Sequence, residues 1–490
     1  MTTQPLNHRM SSLDASFLYL ERPNALLHVG AIFSFARRLD LGPLVAYMQE
    51  RLPLIPRYCQ RVVTVPLNIG HPTWETDPDF DIHDHVIHHH LRGSGDDEAL
   101  ARLCARLFAE PLDRSRPLWE LHIIDGYGTG SALLSKTHHC MIDGASGVEL
   151  TNLLMDPSPR PAPLPARPLP KAEAISHPLL RAAEAVVDTV WMQLGALSGA
   201  ARFLTRPSRA VEELRATLDA VGTLTRSVAE SPAPMPFNGE IGRERTIAWA
   251  RLSLNETRAI KSRLGGTVND VVLSVICGGL RHYLSACGVD VGRSELKAMV
   301  PVSLRTEHQH VRLGNRVSMM VAPLPISLVD PIERLRQISA TMDVLKNSGQ
   351  SRQMERLVGL TDLLPPILQL PLARLQVAIA PVNTICTNVP GPRETRYLLG
   401  EPVQSMVPLV PLGAGVGLGF AILSYADQLT IGITADASRV ANAWRVEGAL
   451  RRSFEELWKA TGLERVAEAP RIGSALTRRA RMGKQQRHEA

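Results

Sequence analysis

Apolar positions along the chain fall into stretches of helical spacing interleaved with stretches of strand alternation. The spacing predicts helices around residues 40–52 and 96–109. WELHII at 119–124 alternates, DGYGTG turns, and SALLSKTH at 131–138 runs back as an apolar-leaning strand. Turn chemistry of that kind between two such runs predicts a β-hairpin. Helical spacing resumes over 146–155 through Val148, Leu150, Leu153 and Leu154, with Ser146 as the expected N-cap. Residues 1–156 therefore read as a mixed α/β unit. A second such unit spans 237–465, with helices expected at 255–264, 268–288 and 331–347 and strands at 297–303, 317–322, 383–389 and 417–436. Two halves of similar size predict a duplicated architecture, although no sequence repeat relates them.

Between the halves, seven of the fourteen residues in 157–170 are proline, which is the composition of a stiff, extended linker. Residues 176–230 are Ala-rich and helical in pattern, and are read as connecting helices rather than as a lipid-surface helix. Residues 402–426 carry no charge over a membrane-spanning length. Pro402, Pro408 and Pro411, followed by Gly413, Gly415, Gly417 and Gly419, break any helix there, so the run is read as buried strands and turns.

With 490 residues, 44% of them apolar and 21% charged, the chain is globular and too long for one ordinary core. The formal net charge is +6, and almost all of it sits at the end. Residues 471–490 hold Arg471, Arg478, Arg479, Arg481, Lys484 and Arg487 against Glu489 alone. A nearly neutral body with only 4% aromatic residues argues against a nucleic-acid partner. The tail, 466–490, is expected to be disordered. It serves either as a solubilising end or as a tether to anionic lipid. Six scattered cysteines without a CxxC pair fit a reducing compartment. The N-terminus lacks the apolar core of a signal peptide, so a cytoplasmic location is expected.

The strongest chemical signal is HHCMIDG at 138–144, an HHxxxDG pattern at the junction of the 131–138 strand and the next helix. A histidine at a strand end can face a cleft while the sheet fixes its backbone, and imidazole suits proton transfer near neutral pH. Asp143 can orient a ring or brace the loop, and Gly144 permits a tight turn. Cys140 is read as a buried bystander, because neighbours on an extended strand face opposite sides. Ser135 and Ser146 lack a GxSxG elbow. His83, His85, His88, His89 and His90 lack the partners of a structural zinc site and are read as a polar strand and loop, with no metal expected.

The chain resembles the bacterial wax ester synthase/diacylglycerol acyltransferase family of the CoA-dependent acyltransferase superfamily. HHxxxDG carries the superfamily resemblance. The narrower one rests on MSSLDASFLYLE (10–21), PLDRSRPLWE (111–120), FNGEIGRER (237–245), TVNDVVLSVICGGLRHYL (267–284), VPVSLR (300–305), LGNRVS (313–318) and TNVPGP (387–392), in that order.

The resemblance implies an α/β fold of two chloramphenicol-acetyltransferase-like domains, each a mixed sheet flanked by helices, with the active site in a tunnel between them. The domains would be 1–156, bearing HHxxxDG, and 237–465, joined by 157–236. It implies His139 as general base, His138 shaping the pocket and Asp143 as a brace. Gly144 would leave room for substrate, and Asn269 and Asp270 would support the cleft. Pro117, Leu118 and Trp119 would be structural. The implied reaction is acyl transfer from acyl-CoA, a co-substrate with no separate cofactor, to diacylglycerol. The alternatives are a long-chain alcohol acceptor, as in a wax ester synthase, or a weakly active lipid-droplet-associated lipid-binding protein. Peripheral contact with the inner face of a membrane or with lipid droplets would follow.

Overall fold

The structure, a computed structural model, describes residues 9–66, 70–93, 95–142, 144–161, 163–164, 168, 234–303, 317–347, 382–413 and 415–465. Most of the expected 157–236 linker, the whole 466–490 tail and Asp143 lie outside the described residues.

In chain order the first elements are α1 (Ser12–Leu20), β1 (His28–Phe35), α2 (Leu41–Arg51), β2 (Gln60–Val63), β3 (Thr73–Thr76), β4 (Val86–His90) and α3 (Asp97–Phe108). The predicted hairpin is β5 (Trp119–Tyr127) and β6 (Gly130–His138), and α4 (Gly144–Leu154) follows it. The second half supplies β7 (Arg245–Ser253), α5 (Leu254–Leu264), α6 (Val268–Ala286), β8 (Leu296–Ser303), β9 (Val317–Leu324) and α7 (Pro331–Asn347). It continues with β10 (Thr384–Pro390), β11 (Tyr397–Leu398), β12 (Glu401–Leu409), β13 (Leu418–Tyr425), β14 (Gln428–Asp436) and α8 (Trp444–Ala460).

Two six-stranded mixed sheets organise these elements, in the orders β11-β12-β1-β6-β5-β4 and β7-β14-β13-β10-β8-β9. Each contains both parallel and antiparallel neighbours: β4 and β5 run parallel in the first, as do β10 and β13 in the second. This is the two-sheet α/β architecture the resemblance implies. One feature of the topology differs from a split into contiguous halves. β11 and β12 belong to the second half of the sequence, yet β12 pairs antiparallel with β1 along the edge of the first sheet.

The sheets approach closely where β12 meets β14. A side chain on Gly432 would place its Cβ 1.9 Å from the Pro408 carbonyl oxygen, so only glycine fits there. α3 fills the wedge between the sheets, with Leu100, Cys104 and Phe108 packed against Ile124 and Leu134 on one side and Trp249 on the other. Its Asp96 cap accepts from the Ala99 N–H, and Asp97 in the first turn takes Arg251 of β7 at 2.6 Å. α6 is a 19-residue helix whose Gly278 and Gly279 admit Ser453 and Leu450 of α8 at close range.

One local expectation shifts: α4 begins at Gly144, two residues before the expected Ser146 cap. The 83–90 stretch divides into a short 3-10 turn over Ile82–Asp84, capped by Asp81, and a strand over 86–90, in keeping with a strand and loop. Among the described residues no helix is long and apolar enough to cross a membrane.

Candidate active site

β6 delivers the histidine pair. Its last residue, His138, is held by its own N–H to the Leu118 carbonyl at 2.9 Å and is 1% exposed. The chain then turns, so His139 and Cys140 lie on a turn and not on a strand. The strand-alternation reason for setting Cys140 aside therefore does not hold. The replacement reason is burial, which leaves Cys140 2% exposed and pushes its thiol well above the ordinary range, so no thiolate is at hand.

Both ring nitrogens of His138 are engaged. The Cys140 N–H donates to Nδ1 at 3.1 Å, and Nε2 lies 3.3 Å from Glu21 Oε1, within ion-pair reach but not in hydrogen-bond alignment. His139 differs. It is half-buried, its N–H donates to the Leu27 carbonyl at 2.8 Å, and its ring stacks flat on Phe17 at 4.0 Å and 9°. Phe17 and Glu21 are one turn apart at the end of α1, so the N-terminal helix meets both histidines. Neither residue was singled out from the sequence. Both lie inside the 10–21 block, but no local periodicity links that block to a turn more than a hundred residues away.

Glu21 accepts from the Leu27 N–H at 3.2 Å and from Arg114. Burial works to raise its carboxyl, but His138 and Arg114 outweigh burial and hold it at about 2. His28 of β1 lies opposite His138 across the ladder, and its Nδ1 donates to the Phe108 carbonyl at 3.4 Å. Burial first, then Lys136 and His138, push His28 down to about 3.

Beneath α3 the same sheet face carries a buried polar track. Lys136 Nζ is 2.7 Å from Glu120 Oε2 and donates to the Leu107 carbonyl. Glu120 Oε2 meets His122 Nε2 at 3.0 Å, and His122 Nδ1 meets His89 Nε2 at 3.0 Å. Burial works to raise Glu120, but His122 and Lys136 outweigh it and hold that carboxyl at about 2.

These shifts predict acid lability of one sign. His28 takes a proton near 6.5 when unfolded and only near 3 when folded, so its share of stability is present above 6.5 and is lost as pH falls from there towards 3. The lowered carboxyls of Glu21 and Glu120 add stability that is present above their unfolded value of 4.5 and is lost as pH falls from 4.5 towards 2. Urea midpoints measured from pH 7 to pH 4 should fall throughout; a flat profile would contradict the buried track.

On the other side of the seam, Asn269 and Asp270 occupy the first turn of α6 and part ways. Asp270 is fully buried. It completes a capping box with Thr267, accepting its N–H at 2.8 Å, and takes the Ser339 hydroxyl at 3.2 Å. Its carboxylate therefore fixes the helix end. Asn269 is half-buried, and its Oδ1 accepts from Asn388 Nδ2 of β10 at 3.0 Å, which leaves its own amide N–H groups as donors. α4, opening at Gly144, packs against that same β10.

Trp119 of the Pro-Leu-Trp block is 1% exposed and sandwiched between Tyr58 and His85, the structural place expected for it. The other clustered histidines disperse: His83 pairs with Asp81 and His88 with Asp125. Among the described residues no group of three His, Cys, Asp or Glu side chains is arranged to hold a metal ion.

Known proteins match most of this chain. The family model of the wax ester synthase/diacylglycerol acyltransferase catalytic domain matches residues 10–272, and that of the WS/DGAT C-terminal domain matches 313–458. A putative diacylglycerol O-acyltransferase of Mycobacterium tuberculosis is 30% identical, covering 92% of this chain and 90% of its own. The probable diacylglycerol O-acyltransferase tgs1 of the same species is also 30% identical, covering 92% and 95%. Among solved structures, the wax ester synthase/diacylglycerol acyltransferase of Marinobacter aquaeolei VT8 superposes with a TM-score of 0.65 at 22% identity, covering 93% of this chain and all of that one. A starter condensation domain of rhizomide synthetase in complex with C8-CoA superposes at 0.56 with 12% identity over 93% of this chain and 95% of that one. Both structures share the fold. With the family models and the relatives spanning most of its length, the chain is an acyltransferase and belongs to the wax ester synthase/diacylglycerol acyltransferase family.

Proposed function

We propose that this enzyme moves a long-chain acyl group from acyl-CoA to the free hydroxyl of diacylglycerol, forming triacylglycerol, with His139 as general base and no acyl-enzyme. The observation that carries the reading is the asymmetry of the pair. His138 is fully buried, with Nδ1 accepting from the Cys140 N–H and Nε2 facing Glu21 at 3.3 Å, whereas His139 is half-buried on the Phe17 ring. His139 takes the hydroxyl proton as the acceptor oxygen bonds to the thioester carbon. The C–S bond breaks, and the imidazolium returns the proton to the CoA thiolate. Two donor sources serve the oxyanion in this reading: the Asn269 amide and backbone N–H groups at the start of α4. The apolar substrates favour a site between the domains and peripheral contact with a membrane or lipid droplet. No cofactor beyond acyl-CoA enters the reaction.

The relatives named as diacylglycerol O-acyltransferases favour diacylglycerol as acceptor. The family description also covers wax ester synthesis, so a long-chain alcohol is the second reading. Labelled palmitoyl-CoA offered in parallel to dioleoylglycerol and hexadecanol separates them. Triacylglycerol as the main product is expected. Wax ester alone would move the acceptor to fatty alcohols, and no ester from either would overturn the reading.

A further inference from the structure

The end of α1 gathers at least four contacts on one carboxylate, the most distant being His28 Nε2 at 3.8 Å from Oε1. Glu21 sits at the C-cap, its own N–H fixed to the Phe17 carbonyl at 3.2 Å. Its Oε2 is anchored by Arg114. Its Oε1 takes the Leu27 N–H at 3.2 Å and lies 3.3 Å from His138 Nε2.

Two routes lead from that carboxylate to His139. One runs through the His138 ring. Because the Cys140 N–H donates into Nδ1, that nitrogen carries no proton, and the partners assign the proton of neutral His138 to Nε2, facing Glu21. The other runs through a single peptide. Leu27 gives its N–H to Glu21, and its carbonyl accepts the His139 N–H at 2.8 Å. Phe17, on the same helix end, presses on the His139 ring. We propose that Glu21 is a positioning residue for the transfer reaction: its charge favours the Nε2–H tautomer of His138 that the Cys140 N–H selects and, through Leu27, it sets where the His139 imidazole stands.

The carboxylate is 10% exposed, and held at about 2 it stays ionised across the working range of the enzyme. The charge is therefore a fixed part of the site, as the carboxylate behind a catalytic histidine is in other acyl-transfer enzymes. Arg114 keeps it from swinging out, which gives the PLDRSRPLWE block a link to the histidines as well as its core tryptophan.

The proposal rests on His139 as the base, and the test separates the two. Glu21→Gln keeps the size and removes the charge; Glu21→Asp keeps the charge and shortens the reach. Steady-state kinetics with palmitoyl-CoA and dioleoylglycerol should show kcat about 10²-fold lower for Glu21→Gln, the scale of an approximately 1 Å misplacement. KM for palmitoyl-CoA should stay within about twofold, since the loss falls on the transition state alone. Glu21→Asp should recover part of the rate. In ¹⁵N-histidine spectra the Nε2–H signal assigned by its absence in His138→Asn should lose its locked position in Glu21→Gln. Should Glu21→Gln fail to fold, Arg114→Met serves the same purpose, with a kcat loss in the same direction and the same spectral change. Wild-type kcat in these variants with an unchanged His138 signal, beside an inactive His139→Ala, would overturn the positioning role alone. An active His139→Ala would overturn the base assignment instead.

Discussion

Replacing His139 with alanine is expected to lower kcat for acyl transfer by about 10²–10⁴-fold, the usual contribution of a positioned general base. The residual rate would come from holding thioester and hydroxyl together, so KM for palmitoyl-CoA should change little. The two histidines differ in their surroundings: His138 is 1% exposed, whereas His139 is half-buried and stacked on Phe17. His138 has Cys140 on one nitrogen and Glu21 facing the other. His138→Ala should therefore act through disorder of the turn, with a fall in thermal stability accompanying its loss of rate. His139→Ala should leave the melting temperature nearly unchanged, apart from the lost stacking on Phe17, which is worth about 0.5–1.5 kcal/mol. Rates and melts of both variants check this. A His139→Ala enzyme with more than about a tenth of wild-type kcat, a loss smaller than general-base catalysis supplies, would contradict the assignment.

The second large effect concerns stability. Lys136 is 1% exposed, and its ammonium is satisfied by Glu120 and the Leu107 carbonyl. Lys136→Met keeps much of the buried stem but strands the Glu120 carboxylate beside His122. Removing one partner of a buried pair typically costs about 3–5 kcal/mol. Urea unfolding should show that loss. The double variant with Glu120→Gln should regain part of it, because no uncompensated charge is left. A midpoint equal to wild type in Lys136→Met would show that the track contributes nothing.

The local elements were legible where one side chain in two or four faces a core. The 119–138 hairpin and the helices at 97–108 and 331–347 appear where the apolar period predicts them, because period and burial are the same fact seen twice. The HHxxxDG turn was legible for the same reason: it begins where a strand pattern stops. What failed to show is what depends on distant partners. The uncharged, Pro- and Gly-broken run at 402–426 reads as strands and turns but does not say that β1 is the neighbour of 401–409. The pairing of Asp270 with Thr267 is local in sequence, but its contact with Ser339, on a distant helix, is not legible there. Glu21 and Phe17 read as part of a helix, and only the fold brings them to the histidines. The polar character of 83–90 was legible, but not the Asp81 cap that turns its first part into a 3-10 turn.

Rapid-quench kinetics distinguishes direct transfer dependent on His139 from a route through an acyl-enzyme. Wild-type enzyme is mixed with acyl-labelled palmitoyl-CoA, with and without dioleoylglycerol, and CoA, triacylglycerol and protein-bound label are followed through the first turnover. The account predicts that CoA and triacylglycerol appear together, only when the acceptor is present, with no label on the protein and no such turnover in His139→Ala. A burst of CoA without acceptor, with stoichiometric label on Cys140 or another side chain, would contradict it.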